Sequence, residues 1–237
     1  MQLFYHPEIS ENDPEIIFPK EESRHIVKVL RKNIGDTLMV TNGKGYLFTA
    51  EISGVSPQKC LARITKTEAD TPPSYHLHLI VAPTKMNDRY EWFLEKATEI
   101  GVHEITPVIC GNSERKVIKA ERYDKVILSA MKQSLHFRKP ILNEAIEFQD
   151  LINLNVQGKK FIAHCEENKG RISLKDLITP GENYSILIGP EGDFTPAEIG
   201  MAMEKGWQPV SLGKSRLRTE TAAIVACHTI ALINETS

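Results

Sequence analysis

Hydrophobic and polar positions follow two different patterns on either side of a proline pair, Pro72 and Pro73. Before this pair, short β-rich runs are separated by turn sequences, which is typical of a small antiparallel barrel or sandwich. Because proline fixes φ and cannot donate a ladder hydrogen bond, the pair indicates a linker between domains spanning 1–72 and 73–237. The first domain is predicted to contain strands over Thr37 to Val40, Tyr46 to Ile52 and Cys60 to Thr65, and one helix from about Ser23 to Lys32.

After the linker, strand patterns alternate with helix patterns, which predicts an α/β domain with a mainly parallel sheet covered on both faces. Asn87 is predicted to cap a helix that ends at Gly101. Thr195 and Glu198 form a capping-box sequence, and the last helix is expected to begin near Thr219 to Thr221. The predicted strands are Tyr75 to Ala82, Ile105 to Ile109, Phe161 to Cys165, Tyr184 to Ile188 and Pro209 to Leu212.

Composition and charge indicate which classes of protein this chain can belong to. The chain has 237 residues, of which 41% are hydrophobic, so it can bury one large core or two modest ones. The formal net charge of −2 gives no global argument for a nucleic-acid partner. No apolar run reaches the roughly 18 residues that a bilayer requires, and the N-terminus does not resemble a secretion signal, so a cytoplasmic protein without a membrane partner is expected.

Cysteine and histidine usage favours no metal site. The four cysteines are widely spaced and form no Cys-x-x-Cys pair, which predicts reduced, buried thiols. His76 and His78 share one face of a predicted strand, but no third ligand is evident, so a surface or hydrogen-bonded role is expected for them. His164, Cys165 and Glu166 end another predicted strand, where they could contact a ligand or simply pack.

The most informative segments are two glycine-bearing loops near the C-terminus. The first loop (residues 189–195) and the second loop (residues 212–218) each connect a predicted strand to a helix, where open α/β sheets bind their ligands. One shared pocket for a nucleoside-like ligand is therefore expected, and ordinary strand-to-helix turns are the alternative. A phosphate-binding loop is disfavoured, because Gln208 stands where that motif requires glycine. A dinucleotide-binding fingerprint that begins at Gly43 is also disfavoured, because Phe48 stands where that motif requires its last glycine.

Both loops resemble the C-terminal signature of RsmE-type ribosomal RNA uridine-N3 methyltransferases, which belong to the SPOUT superfamily. The resemblance rests on residues 188–192, Leu212 with Gly213, and residues 217–222. It extends over the whole chain through His25, Val29–Arg31, Gly35 with Asp36, Lys96–Val102, Gln133 with Ser134, Arg138 and Pro140. Three residues depart from the family pattern, which usually has Glu at Lys132, often Gly at Asp193 and often an apolar residue at Arg216.

The resemblance implies a PUA-like β-barrel at the N-terminus, a SPOUT domain with a deep trefoil knot, and a homodimer. It also implies S-adenosylmethionine as the cofactor, held in a bent conformation, and methyl transfer to N3 of a uridine in 16S rRNA of the small ribosomal subunit. Two alternatives remain: a knotted methyltransferase that acts on another RNA or base atom, and a noncatalytic RNA-binding factor for ribosome assembly. The expected cofactor-binding residues are Leu187, Ile188, Gly189, Pro190, Glu191, Gly192, Leu212, Gly213, Leu217, Arg218, Thr219 and Thr221.

Methyl transfer to N3 requires loss of a proton, so a base or a cation near the uracil is expected. Arg218 is the candidate for stabilising the developing anion, with a loop-fixing salt bridge as the alternative. Glu220 could act as the base or could cap the last helix. RNA contacts are predicted from a basic helical stripe and further cations, with solvated surface charge as the alternative. These residues are Arg24, Lys28, Arg31 and Lys32 in the stripe, then Lys85, Arg89 and Arg138, with Arg115, Lys116 and Lys139 as possible extensions.

Overall fold

The computed structural model describes residues 2–56, 59–166 and 170–235. These residues form two compact units. The first unit contains the chain up to Pro72 together with Met131–Lys139, and the second contains Pro73–Ala130 together with the chain from Pro140 onward. The roles that the resemblance implies for the two domains, RNA binding by residues 1–72 and methyl transfer by residues 73–237, stay predictions.

The first unit contains a five-stranded sheet in the order β1-β3-β4-β5-β2. Strands β1 and β3 are parallel, whereas the other neighbours are antiparallel. The three strands predicted from the sequence are present, and two short strands that the pattern did not reveal complete the sheet. Its elements are β1 (Leu3–Tyr5), β2 (Glu15–Ile17), α1 (Lys20–Arg24), β3 (Thr37–Thr41), β4 (Tyr46–Ser56) and β5 (Lys59–Ala69). One apolar core that includes Phe4, Ile26 and Phe48 fills this unit.

The helix predicted over residues 23–32 is wrong in its extent. Helix α1 begins at Lys20 and continues as a π-helical turn over His25–Val29. Arg31 then adopts a left-handed conformation with φ of 54°, which ends the helical path. Arg31 and Lys32 therefore do not lie on one helical face with Arg24 and Lys28, and the predicted basic stripe is not formed in that way.

The second unit contains an eight-stranded sheet in which every assigned pairing is parallel. Its order is β11-β13-β10-β12-β6-β7-β8, and β9 also pairs with β7. The predicted mainly parallel α/β sheet is confirmed. The elements are β6 (Leu77–Val81), α2 (Asn87–Ile100), β7 (Glu104–Ile109), α3 (Ala120–Gln133), β8 (Ile141–Leu142), β9 (Ile146–Glu147), α4 (Phe148–Leu151), β10 (Lys159–Ala163), β11 (Ile172–Ser173), β12 (Tyr184–Ile188), α5 (Pro196–Glu204), β13 (Gln208–Ser211) and α6 (Thr219–Glu235).

Alternating side chains of the central strands supply two separate apolar cores. On β6, Leu79 belongs to a core that includes residues of α2, α3 and α6, whereas Ile80 belongs to a core that includes residues of α4 and α5. Both faces of the sheet are thus covered, which explains why β12 is buried along its whole length. The sheet interior is closed, so ligand access is left to its edges.

The C-terminus of α2 agrees with the sequence signal, whereas its N-terminus does not. Gly101 has φ of 106° and ends α2, as predicted. Met86, rather than Asn87, occupies the N-cap position. The Asn87 side chain instead bonds to Glu91 and accepts a hydrogen bond from the Tyr123 hydroxyl at 3.0 Å. The Asn87 side chain is thus used in hydrogen bonds to Glu91 and Tyr123 and does not cap α2.

Two further expectations concern the membrane and the thiols. Within the described ranges, every helix is too short or too polar to cross a bilayer. All four cysteines are free thiols, and Cys60, Cys110 and Cys227 are buried. Cys165 is exposed, so the expectation of buried thiols is wrong for this residue, which lies in the loop after β10. The trefoil knot stays a prediction from the resemblance.

Candidate functional site

Three neighbouring parallel strands end at the same edge of the sheet and carry the loops of interest. β10 lies between β12 and β13, so His164 and Cys165, which directly follow β10, lie between the first and second loops. Both loops line one cavity of about 270 Å³. The residues that line this cavity are Ala163, Cys165, Ile188, Gly189, Pro190, Glu191, Asp193, Arg216, Leu217, Arg218, Thr219 and Ala222.

A direct hydrogen bond joins the first loop to the start of α6, where the second loop ends. The Thr219 hydroxyl donates to the Gly189 carbonyl at 3.0 Å, and Thr219 is only 4% exposed. Because a buried carbonyl without a donor is costly, this contact fixes the distance between the two sides of the cavity.

Neighbouring segments hold the first loop from outside the cavity. The Asn112 amide donates to the carbonyls of Gly192 and Asp193, each at 3.1 Å. The backbone N–H of Lys85 donates to Glu191 Oε1 at 2.9 Å. Arg115 in turn donates to the Lys85 carbonyl at 2.8 Å, so it positions the segment that holds Glu191. None of these contacts is local in sequence.

Asp193 connects the first loop to the segment after β10. Its φ of 62° is unusual for a residue other than glycine. Its carboxylate accepts hydrogen bonds from the backbone N–H of Phe194 at 2.8 Å and of Cys165 at 2.7 Å. The family often has glycine here, and in this chain the two hydrogen bonds offset the strain of the aspartate backbone. Cys165 is thereby held at the cavity wall.

The capping box predicted at the start of α5 is confirmed. Glu198 N–H donates to the Thr195 hydroxyl at 3.2 Å, and Thr195 N–H donates to Glu198 Oε2 at 2.8 Å. Glu198 also accepts from Gly111 N–H at 2.8 Å. Within the first loop, a Cβ added to Gly189 would lie 2.9 Å from the Phe194 ring, so close packing requires glycine at this position.

The second loop has a different environment. Gly213, Lys214, Ser215 and Arg216 are all exposed. Leu212 and Gly213 line a smaller cavity of about 70 Å³ together with His164, Cys165 and Arg171. The second loop is therefore bounded by solvent over most of its length.

The expected cofactor residues fall into several places. Those that line the 270 Å³ cavity are Ile188, Gly189, Pro190, Glu191, Leu217, Arg218 and Thr219. Leu187 lies in an apolar core, Gly192 packs against Asn112, and Thr221 lines a neighbouring groove. The cavity is also lined by four residues that no sequence motif indicates, namely Ala163, Asp193, Arg216 and Ala222. Ala163 lies within the strand predicted over Phe161 to Cys165, next to the loops, and this position was the available signal.

The groove next to the cavity has a volume of about 590 Å³ and is lined by Asp88, Arg89, Trp92, Arg218, Glu220 and Thr221. Arg218 lines both the groove and the cavity. The Trp92 side chain is 44% exposed. The Glu220 side chain is 9% exposed, and Glu220 Oε1 lies 4.0 Å from Arg89 Nε. An exposed aromatic side chain, two arginines and two carboxylates thus line a groove beside the cavity.

Several cations proposed to bind RNA have partners in the structure. Lys85 pairs with Glu114 at 2.8 Å. Within the first unit, the Arg138 guanidinium donates to the carbonyls of Lys44 at 3.3 Å and Asp70 at 3.0 Å. Arg24, Lys28 and Arg31 are exposed, and Lys32 is half-buried. Their contacts with RNA stay predictions.

His78 lies on β6 and belongs to a hydrogen-bonded network at the opposite edge of the sheet, whereas His76 precedes β6 and its Nε2 lies 3.5 Å from Glu104 Oε2. His78 Nε2 lies 2.7 Å from the Thr106 hydroxyl, and the Asn143 amide donates to the same hydroxyl at 2.8 Å. Burial lowers the pKa of His78 to about 4, so the ring is neutral near pH 7. In the part of the chain that the structure describes, no group of three or more metal-ligating side chains is found.

Comparisons with known proteins agree with this architecture. An RNA methyltransferase domain family matches residues 71–231, and an RNA methyltransferase PUA domain family matches residues 18–65. Ribosomal RNA small subunit methyltransferase E of Bacillus subtilis is 30% identical over 240 residues, which cover 95% of this chain and 93% of that protein.

Solved structures show the same likeness over the full length. A probable rRNA-methyltransferase from Porphyromonas gingivalis is 40% identical, with a TM-score of 0.91 and coverage of 100% of this chain and 99% of that one. Ribosomal RNA small subunit methyltransferase E from Neisseria gonorrhoeae, solved bound to S-adenosylmethionine, is 29% identical, with a TM-score of 0.85 and coverage of 99% and 98%. This chain therefore belongs to the RNA methyltransferase family that includes the ribosomal RNA small subunit methyltransferases E, and it carries that family's PUA domain.

Proposed function

We propose that this protein transfers a methyl group from S-adenosylmethionine to N3 of a uridine in 16S rRNA of the small ribosomal subunit. The relatives named as small subunit methyltransferases support the substrate, and the cofactor-bound Neisseria gonorrhoeae structure supports the methyl donor. The observation that carries the proposal is the cavity that both loops line, with Thr219 bonded across to Gly189. An rRNA substrate also implies a cytoplasmic enzyme.

The chemistry of the cavity fits S-adenosylmethionine. Ile188, Leu217 and Ala222 give apolar surface for a purine ring. Glu191 Oε2 is buried and has no hydrogen-bond partner among the described residues, so it can face the positive charge of the ligand. Arg216 can pair with its carboxylate. When bound, this cofactor supplies an electrophilic methyl group.

Positioning is the main contribution expected of the protein, because methyl transfer needs in-line approach of the two reacting atoms. Arg218 lines both the cavity and the groove, so it can contact a base that enters the groove. We assign to it the stabilisation of the negative charge that develops on the uracil as N3 loses its proton. The other cofactor-binding residues are those of the two loops that line the cavity.

RNA binding is assigned to the PUA domain and to cations of both units. The exposed Arg24, Lys28 and Arg31, with Lys32, are proposed to contact phosphates from the first unit. Lys85 and Arg89 would extend the contact on the second unit, whereas Arg138 would have to exchange its backbone partners for RNA. The homodimer follows from the family resemblance and is part of the proposal.

Methylation of purified 30S particles from a strain without this gene tests the proposal. The purified protein and labelled S-adenosylmethionine should yield 3-methyluridine, identified by mass spectrometry of digested 16S rRNA. Arg218→Ala should lower kcat more than it lowers cofactor affinity. A different methylated nucleoside, or transfer only to another RNA, would contradict the stated substrate. Cofactor binding without any transfer would instead support the noncatalytic assembly factor.

A further inference from the structure

Glu220 lines the groove beside the cavity, and one of its carboxylate oxygens is buried with no hydrogen-bond partner among the described residues. Glu220 lies in the first turn of α6, and its side chain is 9% exposed. Glu220 Oε2 has no partner among the described residues, while Oε1 lies 4.0 Å from Arg89 Nε. Because nearly all buried polar atoms in folded proteins are hydrogen-bonded, this oxygen requires an explanation, and a proton donor on a ligand would provide one.

The groove has the surface expected for an unpaired base. Trp92 is a large aromatic side chain with 44% exposure, and such side chains stack bases of single-stranded RNA. Arg218 lines this groove and also the cavity, and Thr219 lies between Arg218 and Glu220 in the chain. A base in the groove is therefore adjacent to the cavity that would hold the methyl donor.

We propose that the groove holds the uracil ring of the target nucleotide and that Glu220 Oε2 accepts the proton from its N3. This inference rests on the proposed function, because it names the base for that reaction. The N3–H bond breaks and the proton passes to Oε2. The N3 electron pair forms the new bond to the methyl carbon, and the electrons of the methyl–sulfur bond remain on sulfur, which becomes a neutral thioether. Glu220 then loses the proton to water.

The charges around Glu220 suit this role. Arg89, on α2, has its Nε 4.0 Å from Oε1, which leaves Oε2 for the substrate. Arg218 enters from the second loop and can stabilise the uracil anion at the same time. Asp88 is the other carboxylate that lines the groove, and its Oδ1 accepts a hydrogen bond from Arg89 N–H at 3.0 Å. Of these two carboxylates, Glu220 is thus the one with a buried oxygen that has no partner in the described part of the chain.

A purely structural role for Glu220 makes a different prediction. An acidic residue in the first turn of a helix stabilises the helix through its dipole, and this needs only the negative charge. A helix-stabilising carboxylate would not alter how the rate depends on the acidity of N3. The acidity of the substrate is therefore the variable that separates the two roles.

The test compares the wild-type protein with E220Q on 30S particles over a range of pH, with E204Q at the exposed end of α5 as the control. Loss of a general base lowers kcat by about 10²–10⁴-fold, while cofactor affinity and melting temperature should stay at the wild-type values. The acidic limb of the pH profile should disappear in E220Q. Raising the pH, or using rRNA that contains 5-fluorouridine, should restore much of the lost rate, because N3 of that base gives up its proton more readily.

Two results would overturn the inference. One is wild-type kcat for E220Q at neutral pH with 3-methyluridine as the product, which refutes the role of Glu220 and leaves the proposed function intact. The other is a lost activity that neither high pH nor 5-fluorouridine restores. If E220Q has a lower melting temperature than the wild type, E220D becomes the deciding variant, because it should keep the acidic limb of the pH profile at a reduced kcat. A wild-type protein that makes no 3-methyluridine would refute the proposed function itself, and the inference with it.

Discussion

The two loops that line the cavity differ in how the protein holds them. The first loop is mostly buried or half-buried and receives hydrogen bonds from Lys85, Asn112 and Thr219. The second loop is exposed from Gly213 to Arg216. The first loop is thus held in place before a ligand binds, whereas solvent surrounds most of the second loop. We therefore expect ligand binding to order the second loop and to leave the conformation of the first loop almost unchanged. Stability should depend on the first loop, and ligand affinity on both.

Breaking the packing of the first loop should have the largest effect. In Gly189→Ala, the new methyl group would lie 2.9 Å from the Phe194 ring, which is itself buried. Overpacking of this kind lowers the free energy of unfolding by about 1–3 kcal/mol. The displaced loop should also lose most of its affinity for S-adenosylmethionine, as measured by calorimetry.

Gly200→Ala is the matched control for that substitution. Gly200 lies within α5, and a Cβ there meets nothing within 4 Å. Alanine should raise the free energy of unfolding by up to about 1 kcal/mol, because glycine is a poor helix former. A destabilised Gly200→Ala, or a Gly189→Ala variant that binds the cofactor normally, would contradict the assigned packing.

Removing the hydrogen bond between the two sides of the cavity should have an intermediate effect. Thr219→Val keeps the shape of the side chain but leaves the buried Gly189 carbonyl without its donor. The free energy of unfolding should fall by about 1–2 kcal/mol, with a parallel loss of cofactor affinity. Thr219→Ser retains the hydroxyl and should stay close to wild type in denaturant titrations. Equal behaviour of the two variants would show that the bond contributes little.

The smallest change in stability is expected in the second loop. Arg216 is exposed and lines the cavity, whereas Lys214 is exposed and lines neither cavity of this edge. Arg216→Ala should change the free energy of unfolding by less than about 0.5 kcal/mol, yet weaken cofactor binding measurably. Lys214→Ala should change neither quantity. A large loss of stability in Arg216→Ala would show that the second loop is also part of the rigid frame.

Local sequence signals predicted much of this fold. The strand Tyr184–Ile188, the capping box at Thr195 and the start of α6 at Thr219 all follow from short-range patterns, and the structure contains them. These features depend on hydrogen bonds and side-chain periods within a few residues. The same local rules failed at Asn87, because its side chain bonds to Tyr123 instead of capping the helix.

The parts that sequence could not predict depend on contacts between distant segments. Asn112 and Asp193 hold the first loop through partners far away in the chain, and no motif reports such contacts. The π-helical turn after Arg24 and the left-handed Arg31 lack a glycine or proline signal at those positions. The sequence indicates Glu220 as a candidate base, but only the structure shows that one of its oxygens is buried with no partner among the described residues.

A crystal structure of the protein with S-adenosylmethionine is the most direct test of the central claim. The ligand should lie between the loops and contact both Gly189–Glu191 and Leu217–Thr219, with the larger displacement from the unbound form in the second loop. A ligand bound elsewhere, or one that contacts only one of the two loops, would show that the loops do not form one cofactor site.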